Sequence, residues 1–235
     1  MLFKPLALRG VFFVFPNLKE SGQPPYGMIT DFTTLEPSAI YRLMTQIIIP
    51  RPIAWVLSDH GNGTWNLAPF SYFSAVSSQP PLLSLSVGSR KDGSPKDTWT
   101  NIEERSHFVL HIPQVKDVAK VLRSAESLAP GQSELETCDL EVVPFDGAPL
   151  PRLKGLPLAL YCEKEVIHPM GLGKQALILG RILKLYVDQS LIQEPQNSSS
   201  MQLDPTLINP LARLGSDAFA SINLLPKEDV VPFGA

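Results

Sequence analysis

Residues 50–87 read PRPIAWVLSDHGNGTWNLAPFSYFSAVSSQPPLLSLSV, and this stretch sets the fold class. Ile53–Ser58 is a short strand-like apolar run. Leu82–Val87 alternates instead. Leu83, Leu85 and Val87 point one way and Ser84 and Ser86 the other, the period of a half-buried strand. Gly61, Gly63, Pro69, Pro80 and Pro81 break the chain between these runs into turns.

The same grammar continues outward. Phe108–Ile112 alternates, with His107 and His111 on the opposite face, and Leu140–Val143, Leu158–Ile167 and Ala176–Val187 complete a set of predicted strands. Gly180 inside the longest of them predicts a bulge or a close backbone approach. Helices are few. Ile40, Leu43, Met44 and Ile47 have helical spacing after Pro37, which a first turn tolerates. A second helix runs from a cap at Asp97 or Thr98 to Arg105, and a third spans Val115–Arg123. The stretch 193–202, QEPQNSSSMQ, has the composition of a surface loop. The 23 prolines in 235 residues count against a helical bundle, because each interior proline costs about 3 kcal/mol. A mainly β chain with a closed or split antiparallel barrel is expected.

The length suits one such domain, with residues 1–35 as an irregular extension, 36–225 as the domain and 226–235 as a tail. A formal net charge of −3 offers no basis for binding nucleic acid or an anionic membrane. No run of 18 apolar residues is present, so no membrane-spanning helix is expected. Lys4 and Arg9 precede Val11–Phe15, but five apolar residues fall short of the ~7–15 of a signal peptide. Two cysteines, Cys138 and Cys162, cannot form a disulfide framework and suit a reducing compartment, so a cytoplasmic location is expected.

No GxGxxG, P-loop, HExxH, CxxC or GxSxG motif occurs. His107 and His111 are four apart, but on a strand that puts them ~13 Å from one another, so no metal site is expected. Cys162 reads as a buried structural thiol. Two segments carry more chemistry. In GSRKDGSPKDTWTNIEER, residues 88–105, a loop with Arg90, Lys91 and Lys96 opens into a helix at Asp97–Thr98. Free N–H groups at a helix start, a lysine and a threonine hydroxyl together make an anion or phosphate site; a plain capped helix after a solvated basic loop is the alternative. In WNLAPFSYFSAVSSQPP, residues 65–81, Asn66, Ser71 and Ser74 offer hydrogen bonds beside Phe70, Tyr72 and Phe73. That combination suits a planar heterocycle, and equally a turn and edge strand with core aromatics.

Taken in order, PRPIAWVLS (50–58), Gly63 with NLAPFSYFSAVS (66–77), PPLLSLSV (80–87) and KDTWTNI (96–102) resemble the flavin reductase-like, FMN-binding split-barrel family. Weaker echoes follow in SELE (133–136), PRLKGLPLALYCE (151–163), ILGRILKLYVD (178–188) and ARLGSDAFA (212–220). The resemblance implies a six-stranded Greek-key split β-barrel with a few peripheral helices, a homodimer, and non-covalent FMN near the dimer interface. It implies a flavin reductase or flavoprotein oxygenase working between NAD(P)H or a small organic substrate and oxygen. A stand-alone oxygenase or oxidase and a non-catalytic flavin or electron carrier are the alternatives. Carried over by position, Trp55 and Asn66, Leu67, Ala68, Pro69, Phe70 and Ser71 line the flavin. Lys96 and Thr98 hold its phosphate with help from Arg51, and Asp97 and Asn101 belong to the same block. No catalytic residue is assigned. The family's R-L-G-G followed by tyrosine is here Arg213, Leu214, Gly215 and Ser216 followed by Phe219, and Gln175 replaces a common histidine.

Overall fold

The computed structural model describes residues 29–172, 174–193 and 201–226. The chain divides into two compact units, Met1–Ile40 and Tyr41–Ala235. Of the expected extension, 1–28 lie outside the described residues, as do 227–235 of the expected tail and 194–200 of the expected loop. In the first unit Asp31 caps a short 3-10 turn, Phe32–Thr34, by accepting the Thr33 N–H. The helix α1, Pro37–Ile47, begins there with its proline in the first turn.

The second unit is built on seven antiparallel strands: β1 (Ala54–Asp59), β2 (Trp65–Phe70), β3 (Phe73–Ser78), β4 (Pro81–Gly88), β5 (His107–His111), β6 (Leu158–Met170) and β7 (Gln175–Val187). Their order is β2-β1-β5-β6-β7-β4-β3. The two outer strands are consecutive in sequence, separated only by Ser71 and Tyr72. Residues 65–78 are therefore one bent ribbon, its first half paired with β1 and its second with β4. The Tyr72 carbonyl accepts the Ser86 N–H at 2.9 Å across the bend. Counted this way, six strands close into a split barrel, as expected.

The ribbon itself was less legible than the strands around it. Pro69 has no N–H to give a ladder, and Asn66, Ser71 and Ser74 are poor strand formers. Pairing with β1 on one side and β4 on the other overrides those local preferences. Boundaries elsewhere agree within a few residues. The expected strand at 140–143 shrinks to Val142–Val143, paired with Arg152–Leu153. The third helix begins as a 3-10 turn at Val115–Asp117 and becomes α-helical only over Val118–Arg123.

Burial explains the sequence patterns. Ala54 and Val56 pack inside the barrel with Leu83, Leu85, Val87, Phe108, Cys162 and Ile178. Trp55 and Leu57 pack on the opposite face with Leu67, Val109, Tyr161 and the covering residues Val121, Leu135 and Leu153. Strand β1 is covered on both faces, so it reads as an unbroken apolar run. Gly180 fulfils both expectations for it. The β6–β7 register shifts between Leu179 and Gly180, and a Cβ at Gly180 would lie 2.5 Å from Cζ of Phe108. Burial pushes the Cys162 thiol pKa upward, in keeping with a structural role.

Candidate functional site

The helix Asp97–Arg105, here α2, starts at Lys96, whose backbone is extended; no side chain caps it among the described residues. The first N–H groups of α2 are thus left pointing out of the helix, at its positive end. Arg90 folds back over this start, donating to Asp97 Oδ1 at 2.6 Å and to the Leu128 carbonyl at 3.1 Å. Asp97 is thereby occupied by a cation. Lys96 keeps contact with solvent, its ammonium 6.0 Å from the centre of the Phe70 ring. Desolvation by the surrounding protein, and secondarily the Arg90 charge, lower its pKa.

A buried polar chain joins α2 to the barrel. Asn66 Nδ2 donates to Thr98 Oγ1 at 2.8 Å and to Ser58 Oγ at 3.2 Å. Asn101 Nδ2 donates to the same Ser58 oxygen at 3.1 Å. Thr98 accepts from Asn66, so its own hydroxyl proton is available to a further acceptor. Next along the ribbon, the Leu67 N–H donates to Glu134 Oε2 at 2.8 Å. Glu134 starts the short helix Glu134–Thr137, capped by Ser133, and is itself buried. Burial raises its pKa, opposed by the Leu67 hydrogen bond.

These groups border a cavity of about 310 Å³ whose walls include Asn66, Ala68, Lys96, Asp97, Thr98 and Glu134. A second cavity, also about 310 Å³, adjoins it along Pro69, Phe70 and Ala125, which line both. Arg51 and Ser71 stand in the second. Arg51 is 5% exposed; its guanidinium donates to the carbonyls of Thr45 at 2.5 Å, Ile48 at 2.7 Å and Leu214 at 3.1 Å, and to Ser71 Oγ at 3.4 Å.

The structure thus brings Asn66, Ala68, Pro69, Phe70, Lys96, Asp97 and Thr98 around one cavity. It sets Arg51 with Ser71 in the neighbouring cavity, apart from Lys96. Trp55, Leu67 and Asn101 line neither. All three are buried supports: the Trp55 indole N–H donates to Ser124 Oγ at 2.8 Å, and Ser124 is itself a wall of the first cavity. Sequence reasoning missed Glu134 and the segment 124–128. Glu134 falls in the SELE echo, but its burial depends on a contact 67 residues away and has no local signature. His111 is taken up by structure: Nδ1 bonds the Trp55 carbonyl at 3.2 Å and Nε2 accepts the Leu153 N–H at 2.9 Å.

Comparison with known proteins points the same way. Residues 44–204 match the model of the flavin reductase like domain. An uncharacterized protein of Halalkalibacterium halodurans is 33% identical over 184 residues, spanning 76% of this chain and 85% of that one. The uncharacterized protein YwrF of Bacillus subtilis is 31% identical over 186 residues, 77% of this chain and 88% of its own. Among solved structures, nitrilotriacetate monooxygenase component B from Bacillus cereus superposes with a TM-score of 0.78 at 29% identity, covering 85% of this chain and 98% of that one. The Pseudomonas fluorescens 2-nitrobenzoate 2-nitroreductase gives a TM-score of 0.76 at 25% identity, with coverage of 88% and 98%.

Proposed function

The chain belongs to the flavin reductase-like family, and we propose on that footing that it is an FMN-dependent oxidoreductase. The observation that carries the FMN reading is the uncapped start of α2, with Lys96 and the Thr98 hydroxyl beside it on one cavity wall. Lys96 has no ion-pair partner among the described residues, and Asp97, the nearest carboxylate in sequence, is neutralised by Arg90. Glu134 shares the wall; burial raises its pKa, opposed by the hydrogen bond from the Leu67 N–H. A phosphate monoester fits this donor set, and the Ala68–Phe70 segment leads from it along both cavities. Arg51, standing in the other cavity, orders Ser71 and the end of α1 instead of meeting the phosphate.

When bound, the flavin supplies reversible electron transfer between NAD(P)H or a small organic substrate and oxygen or another acceptor. The protein's own residues bind and orient. Lys96 and Thr98 anchor the phosphate, Asn66 fixes the Thr98 hydroxyl, and the Phe70 ring offers a flat wall. The component B and nitroreductase relatives, both redox proteins, support an enzyme over a carrier. The same reading makes the protein a cytoplasmic homodimer, for which the exposed Val76, Leu183 and Leu185 offer apolar surface. No helix among the described residues is long and apolar enough to cross a membrane.

The deciding experiment is an absorption spectrum of the purified protein, followed by release and identification of any flavin. A yellow preparation releasing FMN is expected. A colourless one that ignores added FMN overturns the reading. If flavin binds but neither NADH nor NADPH is oxidised, the reductase form falls, and an oxygenase or a carrier takes its place.

A further inference from the structure

The second cavity has an unusual charge balance. Arg42, Arg51 and Arg213 all line it, and among the described residues no aspartate or glutamate does. Arg51 is buried, and among the described residues it bonds only to carbonyl oxygens and one hydroxyl, so its charge meets no carboxylate there. Four of its five N–H groups are spent in that way, which makes it a fixed source of positive potential more than a ligand. Arg213 lies with its guanidinium carbon 4.5 Å from the centre of the Phe219 ring and donates to the Ser216 carbonyl. Its only acidic neighbour among the described residues, Asp217, is 3.7 Å away and fully exposed to solvent, so that pair contributes little. Arg42 sits on the exposed side of α1 at the cavity rim. The remaining walls include three aromatic rings, Tyr41, Phe70 and Phe219.

We propose that this cavity is selective for a small planar carboxylate, held by Arg213 and Arg42 against the aromatic walls. Three guanidiniums around a half-open space walled by polar and apolar groups alike, with no carboxylate among its described lining residues, favour an anion and disfavour its neutral isostere. A volume of about 310 Å³ suits a single-ring compound better than a dinucleotide. That the anion is the substrate of a redox enzyme rests on the flavin reading above, since the cavity shares Pro69 and Phe70 with the proposed flavin site. The anion selectivity itself does not rest on it.

Benzoate and benzamide, alike in shape and different in charge, are the probes. Each is titrated calorimetrically into the full-length protein, with and without FMN, and FMN binding is read separately from flavin absorbance. Benzoate is expected to bind about tenfold or more tighter than benzamide. That gap should shrink to within about twofold in Arg42→Gln/Arg213→Gln, with a cooperative thermal melt showing that the variant stays folded. Equal binding of the two probes overturns the proposal, as does a gap that survives in the double variant. Loss of benzoate binding on FMN loading overturns the substrate role, because the flavin then fills the cavity. If no flavin binds yet benzoate is still discriminated, the flavin reading fails and the anion site stands.

Discussion

Asn66 Nδ2 lies 2.8 Å from Thr98 Oγ1, and this hydrogen bond fastens the ring-closing ribbon of the barrel to the first turn of α2. The two residues are 32 positions apart, and both are buried. The bond aligns the ribbon segment proposed to run beside the flavin with the helix start proposed to hold its phosphate.

Replacing Asn66 with alanine removes the donor to both Thr98 and Ser58. Stability should fall by about 1–2 kcal/mol, and FMN affinity should drop by several-fold because the Thr98 hydroxyl loses its fixed direction. Urea denaturation and flavin titration measure the two effects. Unchanged affinity would separate the hydrogen bond from cofactor placement.

Lys96→Ala tests the phosphate assignment through a comparison of two ligands. FMN affinity should fall about tenfold or more while riboflavin affinity changes little, since only FMN carries the charged group. Equal losses for both ligands, or no loss for either, would contradict the assignment.

His111 sets a pH dependence. Burial pushes its pKa down from 6.5 to about 4, opposed by its bond to the Trp55 carbonyl. Between those values the unfolded chain binds a proton that the folded chain refuses, so stability is full above pH 6.5 and declines as pH falls toward 4. The loss should approach about 3 kcal/mol. Denaturation midpoints at stepped pH measure it, and His111→Gln, which cannot titrate, should flatten the slope over that window.

Gly180→Ala probes packing inside the barrel. The added Cβ meets Phe108 Cζ at 2.5 Å, Phe108 Cε1 at 3.1 Å and Leu83 Cδ1 at 3.4 Å. A loss of about 1–3 kcal/mol is expected from overpacking, and Phe108→Leu in the same chain should recover part of it. A thermal melt of the two variants decides this.

Much of the site and fold could be read locally. Alternation in Leu82–Val87 and the apolar run in Ile53–Ser58 announce strands because burial of one face leaves a period of two and burial of both leaves an unbroken apolar run. The basic loop before Asp97–Thr98 marks the helix start, and with it the proposed anion site, because a helix start is made by adjacent residues. Gly180 announces its close contact because a missing side chain inside a strand has few other uses.

Other features left no local trace. The ribbon 65–78 closes the barrel although Pro69, Asn66 and Ser71 disfavour a strand, since partners on both flanks supply what local preference does not. Glu134 becomes a cavity wall through the Leu67 N–H, and Arg51 parts from Lys96 because Thr45, Ile48 and Leu214 claim its guanidinium. The sequence alone determined the mainly β class, the site's basic loop and its family resemblance, all of which depend on neighbouring residues. Only the tertiary structure decided which of the named residues face a common space, because that follows from contacts between segments far apart along the chain.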